Sequence, residues 1–365
     1  MMTDKKFTIL GVAAAVMVVL ALVMSMVTSK KGAPAPDVVT YLIQGLDMAP
    51  VQQITVKGTS SETVVLTKKD GKFYVDSAAG YPAKVSAIND LLTKCLDVKI
   101  GELYTANVSN FDDLEVSDEK ARYVVKFFDE AGDVLTGLIV GANKQPGNYV
   151  RKFADNKVYI SQASFWANTS STSYIETTLT ELKSEDISEV SLSSANGAYK
   201  ITATEAGKQL EGIPAGKQAK GTDYVNVFNA LNRLSFSDVA KEESMPELNF
   251  DYTYVASMKD STVYRFEVAQ KGGDYWAKCS SVFTNDEKVM KANKAESEEE
   301  LKAKEEVLLG REAAINFTQK HKGWVYKLQS WSAKNLTKPF DELIEDAPTA
   351  EPAPAAEPSA DPNAV

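Results

Sequence analysis

The sequence predicts an α+β fold, in which an N-terminal transmembrane helix precedes two repeated units that each combine an antiparallel sheet with a helix. Three observations support this prediction. The chain begins with a long uncharged apolar segment, its later strands alternate apolar and polar residues, and much of the pattern recurs at an offset of 136 residues. Such alternation is typical of sheets that have one packed face and one solvated face.

The segment Phe7–Val27 has the length and polarity of a membrane anchor. Its 21 residues carry no charge, and at ~1.5 Å per residue they form a helix of about 31 Å, close to the hydrocarbon thickness. A cleaved signal peptide is the alternative, although its apolar core is shorter. We predict a single-pass protein of the inner (cytoplasmic) membrane that contacts the lipid bilayer through Phe7–Val27. Residues 1–6 are then cytoplasmic and the bulk is extracytoplasmic, in the periplasm. The alternative is a bulk that faces the cytoplasm, since the two flanks of the segment carry equal numbers of lysines.

Two segments are predicted to lie outside the folded region. Residues 28–40 form a linker, because the run GAPAP at Gly32–Pro36 is extended and non-helical. Residues 346–365 form an acidic tail rich in proline and alanine. We expect this tail to be disordered, because it offers too little apolar surface to offset the entropy lost on ordering.

The repeat divides the chain into residues 41–180 and residues 181–285. Each repeat is predicted to contain a strand pair, a hairpin, a helix and further antiparallel strands. Matched strand positions are Ile54 and Val190, Val56 and Leu192, Val125 and Tyr254, and Phe127 and Ala256. Matched helix positions, spaced by three and four, are Ile88, Leu91, Leu92, Cys95 and Val98 in the first repeat and Tyr224, Val227, Phe228, Leu231 and Leu234 in the second. The alternative is that two unrelated stretches share this order.

Residues 286–345 are predicted to form a charged helix followed by a closing strand and helix. Glu298/Lys302 and Glu300/Lys304 have the spacing of favourable helical ion pairs. Apolar residues recur every seven positions at Leu301, Leu308 and Ile315. Because charged residues lie between them, a solvated helix on the domain surface is favoured over a partner-binding coiled coil.

Composition limits the classes of partner. The formal net charge of -10 argues against binding to nucleic acid or to an anionic membrane surface, both of which would repel the chain. The two cysteines, Cys95 and Cys279, exclude a disulfide-rich scaffold. Whether these two residues pair stays open, since pairing depends on their separation in the fold.

We find no catalytic, cofactor-binding or metal-binding signature, and therefore predict a protein that is not an enzyme and has no cofactor. The single histidine, His321, lies between two lysines and is expected to be exposed. The chain has no phosphate-binding loop and no nucleophile elbow. Its histidine, cysteine and carboxylate residues show no clustering typical of a metal site.

Four aromatic residues are the candidates for a binding site. Tyr149, Phe153, Tyr275 and Trp276 lie near equivalent strands of the two repeats. We hypothesise that they line a partner-binding groove between the repeats. The alternative is that they are core residues, since aromatic side chains contribute much of the buried surface of a protein.

The organisation resembles a bacterial family known as domain of unknown function 4340. The resemblance rests on the lysine-flanked anchor with the sequence KKFTIL, the run ITV at Ile54–Val56, DGKFY at Asp70–Tyr74 and WVYKL at Trp324–Leu328. It covers roughly residues 40–340. It implies an accessory role in the bacterial envelope beside an ABC-type transport system, and it supplies no catalytic residue.

These inferences together predict a membrane-anchored extracytoplasmic accessory or binding protein of the bacterial envelope. Its partner would be an envelope protein, including subunits of a transporter, and nucleic acid is excluded by charge. One alternative is a hydrolase of envelope polysaccharide or peptidoglycan, whose two carboxylates can be far apart in sequence. The other is a structural spacer without a specific partner.

Overall fold

The computed structural model describes residues 39–290 and 296–348. The predicted cytoplasmic segment 1–6, the predicted transmembrane helix 7–27, nearly all of the linker 28–40 and most of the tail 346–365 lie outside the described residues. Within the described residues, no helix combines the length and the apolar character that a membrane span requires.

The chain forms two compact units. Among the described residues, unit 1 comprises 39–61 and 89–167, and unit 2 comprises 62–88, 168–290 and 296–348. The predicted boundaries at 41–180 and 181–285 follow the repeat in the sequence. Compactness instead groups residues 62–88 with unit 2.

Strands are the main elements of the described chain. In chain order they are β1 (Thr40–Tyr41), β2 (Gln53–Gly58), β3 (Val64–Lys69), β4 (Lys72–Val75), β5 (Tyr81–Pro82), β6 (Lys99–Thr105), β7 (Tyr123–Phe128), β8 (Val134–Lys144), β9 (Gly147–Lys152), β10 (Val158–Ser161), β11 (Thr178–Thr180), β12 (Ile187–Ser194), β13 (Gly197–Thr204), β14 (Gly207–Leu210), β15 (Lys217–Ala219), β16 (Leu234–Lys241), β17 (Tyr252–Met258), β18 (Thr262–Lys271), β19 (Asp274–Phe283), β20 (Trp324–Leu328) and β21 (Ile344–Asp346). The helices are α1 (Val85–Leu96), α2 (Asp223–Phe228), α3 (Glu298–His321) and α4 (Ser330–Thr337).

Unit 1 is built on an antiparallel sheet with the strand order β1-β6-β10-β9-β8-β7-β2. Ile54 on β2 pairs with Phe127 on β7. Both side chains are fully buried, and so is that of Val56 on β2. Alternation along each strand places these side chains on the packed face. A further cluster, which includes Phe111, Ile139 and Val158, closes the core of this unit.

Unit 2 contains an antiparallel sheet with the strand order β11-β16-β20-β19-β18-β17-β12-β13-β14. Its first seven strands repeat the order of the unit 1 sheet. Val190 pairs with Ala256 in unit 2 as Ile54 pairs with Phe127 in unit 1. Equivalent residues are therefore 136 positions apart between β2 and β12 and 129 positions apart between β7 and β17. The two sheets share both strand order and register.

Residues 62–88 supply unit 2 with the hairpin β3-β4 and the short strand β5. Lys69 pairs with Lys72, which leaves Asp70 and Gly71 as a two-residue turn with φ of 50° and 76°. Positive φ at both positions is the geometry that an Asp-Gly hairpin favours. The hairpin predicted at this dipeptide is confirmed.

The predicted α+β fold class is wrong, because the described chain is mostly antiparallel sheet. The helix predicted in the first repeat forms as α1 and buries Ile88, Leu91 and Cys95. Its counterpart α2 has only six residues. The chain turns after Phe228, so Leu231 lies in that turn and Leu234 begins β16. The helical spacing in the second repeat therefore continues across a turn into a strand, and strands dominate both sheets.

Candidate functional site

The first pair of predicted groove residues packs within unit 1. Tyr149 lies on β9, is only 8% exposed and belongs to the cluster that contains Ile139 and Val158. Its ring centroid is 4.8 Å from that of Tyr104. Phe153 follows β9 and packs against the same cluster, with the Lys126 ammonium 4.3 Å from its ring centroid. Both aromatic rings stabilise the unit in which they lie.

The second pair lies on β19 of unit 2. Tyr275 and Trp276 are both half-buried. Trp276 packs against a small cluster formed by Leu248, Ala269 and Val325. Each of the four aromatics is thus placed within its own unit, and the groove between the repeats stays a prediction.

His321 is buried, and the expectation that it is exposed is wrong. It is the last residue of α3 and only 2% exposed. Its Nδ1 is hydrogen-bonded to the Tyr326 hydroxyl at 2.6 Å. Burial, aided by the neighbouring charge of Lys320, lowers the pKa of His321 to about 4. The ring is therefore neutral near pH 7 and packs against Phe317, with 4.5 Å between centroids.

Tyr326, the partner of His321, interacts in turn with two further titratable groups, Tyr81 and Cys279. The Tyr326 hydroxyl lies 3.5 Å from that of Tyr81, whose ring packs edge-on against Trp324 at 4.9 Å. Burial raises the pKa of Tyr326, of Tyr81 and of Cys279. A protonated, buried thiol is a poor nucleophile. The arrangement orders the core of unit 2, and it holds each of these groups in its neutral form.

Carboxylates with a shifted pKa are ionised rather than protonated. Burial would raise the pKa of Asp118, but hydrogen bonds and charge from Lys126 and Arg151 lower it on balance. The same balance, with Lys84 as the cation, lowers the pKa of Glu176. A general acid of the hydrolase type needs a raised pKa, so neither carboxylate suits that role. Within residues 39–290 and 296–348, no cluster of three or more histidine, cysteine or carboxylate groups suits a metal ion.

The helix α3 provides the most distinctive surface of unit 2. It spans 24 residues and begins with a capping box, in which Ser297 accepts a hydrogen bond from the Glu300 amide and the Glu300 carboxylate accepts one from the Ser297 amide. The negative first turn also suits the positive end of the helix dipole. Glu300 is engaged in this cap, and the cation predicted to pair with it, Lys304, forms its ion pair with Glu296. The helix therefore has a well-defined start on the surface of the unit.

One side of α3 is fixed to the sheet at β19. The Thr318 hydroxyl accepts a hydrogen bond from the Ser281 amide at 2.8 Å and donates one to the Ser281 carbonyl at 2.7 Å. Gly310 lets the helix approach Phe283, since a Cβ atom there would lie 2.5 Å from the ring. The prediction that this helix lies on the domain surface is confirmed by these contacts.

The other side of α3 leaves large apolar side chains in solvent. Leu301, Leu308 and Ile315 are 53%, 50% and 49% exposed. They are spaced by seven residues and therefore lie along one stripe of the helix. Val282 is also exposed and, together with Ile315, lines a cavity of about 430 Å³. We call the surface formed by Leu301, Leu308, Ile315 and Val282 the α3 surface.

The walls of this cavity come from β19 and its following loop on one side and from α3 on the other. Phe283 and Ala314 lie beside the two exposed apolar residues. Arg311 also lines the cavity, and its guanidinium donates hydrogen bonds to the carbonyls of Asn285 and Glu287. An apolar stripe that ends in a cavity of this kind is suited to a protein segment bearing apolar anchor residues.

The fold defines a class of protein: an antiparallel β protein in which two sheets share one strand order and a long helix packs on the second sheet. The family model described as Domain of unknown function (DUF4340) matches residues 74–252. This region therefore belongs to that family, and the resemblance predicted from the sequence is confirmed over a narrower range. No curated protein and no solved structure matches the chain. The α3 surface lies C-terminal to the matched region.

Proposed function

We propose that this chain is a membrane-anchored, extracytoplasmic accessory protein of the bacterial envelope that binds a protein partner through the α3 surface. The observation that carries the proposal is the exposure of Leu301, Leu308 and Ile315 along one side of a helix whose other side is fixed to β19. A row of half-exposed large apolar residues beside a cavity costs solvation free energy. Such a surface is a characteristic protein-binding site.

The proposed location rests on the uncharged segment Phe7–Val27. It places the described units outside the cytoplasm, and the partner is then another envelope protein. The family resemblance implies an ABC-type transport system as the setting of that partner. We propose this setting together with the location.

Protease treatment of whole cells and of spheroplasts tests the location. We expect the folded bulk to be digested only after the outer barrier is removed, while alkaline carbonate leaves the full-length chain in the membrane. Recovery of a soluble chain that lacks the apolar segment would contradict the tether. Digestion only after spheroplasts are lysed would place the bulk in the cytoplasm.

Site-specific photo-crosslinking in native membranes tests the binding surface. We expect p-benzoylphenylalanine at Leu301, Leu308 or Ile315 to capture the same neighbouring protein, identified by mass spectrometry. The matched control carries the same group at Asn196, an exposed residue in the turn between β12 and β13. Equal capture at Asn196, or none at the three helix positions, would contradict the proposal.

A further inference from the structure

We propose that the partner segment bound at the α3 surface is an amphipathic helix with a basic flank. This inference rests on the proposed function and specifies the chemistry of the partner. It follows from the spacing of the apolar residues, from the charges beside them and from the cavity at one end of the stripe.

The spacing favours a helical partner. Leu301, Leu308 and Ile315 are separated by seven residues, which at ~1.5 Å per residue places successive side chains about 10.5 Å apart. A second helix laid along the stripe presents its own apolar residues at the same interval. An extended strand repeats its side chains at about 6.7 Å on one face and does not match that interval.

Some charged residues beside the stripe are engaged within the chain, whereas others are free to contact a partner. On one flank, Lys304 pairs with Glu296, and Arg311 donates to two backbone carbonyls. On the other flank, Glu305 and Glu312 are exposed, each four residues after a stripe leucine. Within the described part of the chain, neither of these two glutamates has a cation within ion-pair distance. Lys302, which is also exposed, lies further round the helix on the same side, so the charges nearest the stripe on that flank are the negative ones of Glu305 and Glu312.

This negative flank discriminates among occupants. Anionic lipid headgroups would be repelled by Glu305 and Glu312, as by the overall charge of the chain. A partner helix with lysine or arginine beside its apolar residues would place cations against both glutamates. Charge complementarity of this kind mainly sets specificity and the rate of association.

The cavity accounts for the end of the binding surface. It lies where Ile315 of α3 faces Val282 of β19, and Phe283 and Ala314 contribute to its wall. Its volume of about 430 Å³ is more than one large side chain occupies, and Asp286, Glu287 and Lys288 line it beside the apolar residues. An apolar side chain inserted against Val282 and Ile315 would remove apolar surface from water and fix the partner along the helix axis.

Two peptide probes test this inference with the full-length chain in detergent micelles. Both are 21-residue amphipathic helices with the same leucines, and they carry either lysine or glutamate at the flanking positions. Binding is measured by fluorescence anisotropy. We expect the lysine peptide to bind about tenfold more tightly than the glutamate peptide, with a preference that weakens as salt is raised.

Two charge-reversal variants distinguish a local effect of Glu305 and Glu312 from an effect of the net charge of the chain. We expect E305K/E312K to abolish or invert the preference for the lysine peptide. The control E205K/E243K makes the same change in net charge at exposed carboxylates elsewhere in unit 2, and we expect it to preserve the preference. An equal effect of both variants would show that only net charge matters and would overturn the inference.

Two other outcomes also decide the matter. Sedimentation that shows a dimer, dissociated by Leu308→Asp, would assign the surface to a second copy and overturn the inference. Equal binding of the two peptides, together with specific crosslinking at Leu308, would reject the basic helix while the proposed function stands. Absence of crosslinking at Leu308 would instead reject the proposed function itself.

Discussion

The two sheets differ most at one connection. In unit 1, β9 and β10 are joined by residues 153–157, whereas in unit 2 the equivalent strands β19 and β20 are joined by residues 284–323. Tyr149 pairs with Ile160 in unit 1, and Tyr275 pairs with Leu328 in unit 2. Equivalent residues are thus 126 positions apart between β9 and β19 but 168 positions apart between β10 and β20. The second connection contains α3, so the sheets share a framework and the longer connection provides the proposed binding surface.

The two units also differ in their buried polar groups. Unit 1 contains the ion pair between Arg151 and Asp118, 2.9 Å apart, and the Arg151 Nε donates to the Val116 carbonyl at 2.6 Å. Unit 2 contains a buried neutral pair, His321 at the end of α3 and Tyr326 on β20. The charged pair and the neutral pair respond differently to pH, because different groups take up the proton.

The largest expected effect comes from a buried position at which the two sheets carry side chains of very different size. Phe127 in unit 1 is fully buried, and Ala256 occupies the matched position in unit 2. We expect Phe127→Ala to destabilise unit 1 by about 3–5 kcal/mol through lost burial and a cavity. Hydrogen exchange resolved by segment measures it, since a chain with two units need not unfold in one step. Unchanged protection of β2 and β7 would contradict the assigned register.

A pH-dependent loss of stability is expected in unit 2. Burial lowers the pKa of His321 from its ordinary 6.5 to about 4, so between these values the unfolded chain binds a proton that the folded chain does not. The stabilisation is complete above pH ~6.5 and is lost as the pH falls towards ~4, by on the order of 2–3 kcal/mol. Hydrogen exchange at the end of α3 and in β20 follows this loss.

The control for this effect is His321→Phe, which keeps a buried ring without a titrating group. We expect the variant to lack the histidine-dependent part of the change in stability with pH, although it is less stable at neutral pH because Tyr326 loses its hydrogen bond to the imidazole. Unit 1 contains no histidine and serves as an internal reference. If the stability of the wild-type chain and of His321→Phe changed equally with pH, the pH dependence would be assigned to carboxylates.

A smaller effect is expected from the ion pair of unit 1. Asp118→Asn leaves the largely buried guanidinium of Arg151 without its negative partner. Because Asp118 is partly exposed, solvent reduces the cost, and we expect about 1–2 kcal/mol. Segment-resolved hydrogen exchange of β9 measures it. Lys126 and Arg151 hold the pKa of Asp118 below its usual value. The difference in stability between the wild-type chain and Asp118→Asn should therefore disappear when acid protonates the carboxylate.

The smallest effect on stability is expected at the α3 surface. Leu308→Gln removes a half-exposed apolar side chain, and we expect the free energy of unfolding to change by less than about 0.5 kcal/mol. Thermal unfolding monitored by circular dichroism measures this, while crosslinking from Leu301 in the same variant reports binding. A large loss of stability would show that Leu308 contributes to the packing of unit 2.

Local patterns predicted the framework better than the fold class. Alternation placed Ile54 and Val56 on a buried strand, and the Asp70-Gly71 turn signal located a hairpin. These features depend on neighbouring residues, so the sequence displays them directly. The helical spacing around Val227 could not reveal that the chain turns after Phe228. Tertiary context ended that helix, and the predicted balance of helix and sheet was wrong.

The candidate site could be predicted only in part from the sequence. The seven-residue spacing of Leu301, Leu308 and Ile315 could be read directly, but which side of the helix packs on β19 could not. The burial of His321 was missed because the two flanking lysines suggested an exposed position. Its ring packs against Phe317 and Tyr326, and Tyr81 packs against Tyr326. The large sequence separation between Tyr81 and Tyr326 leaves no local signal. The aromatic rings chosen as groove residues were conspicuous for their size, which is also what packs a core.

The assignment of residues 62–88 to unit 2 bears on any attempt to express half of this protein. A fragment beginning at residue 181 would lack Tyr81, whose ring packs against Phe236, Trp324 and Tyr326 in the intact chain. That fragment would expose three aromatic faces to water and become prone to aggregation. A successful dissection must therefore follow the packing of the chain and supply the early hairpin together with the late sheet.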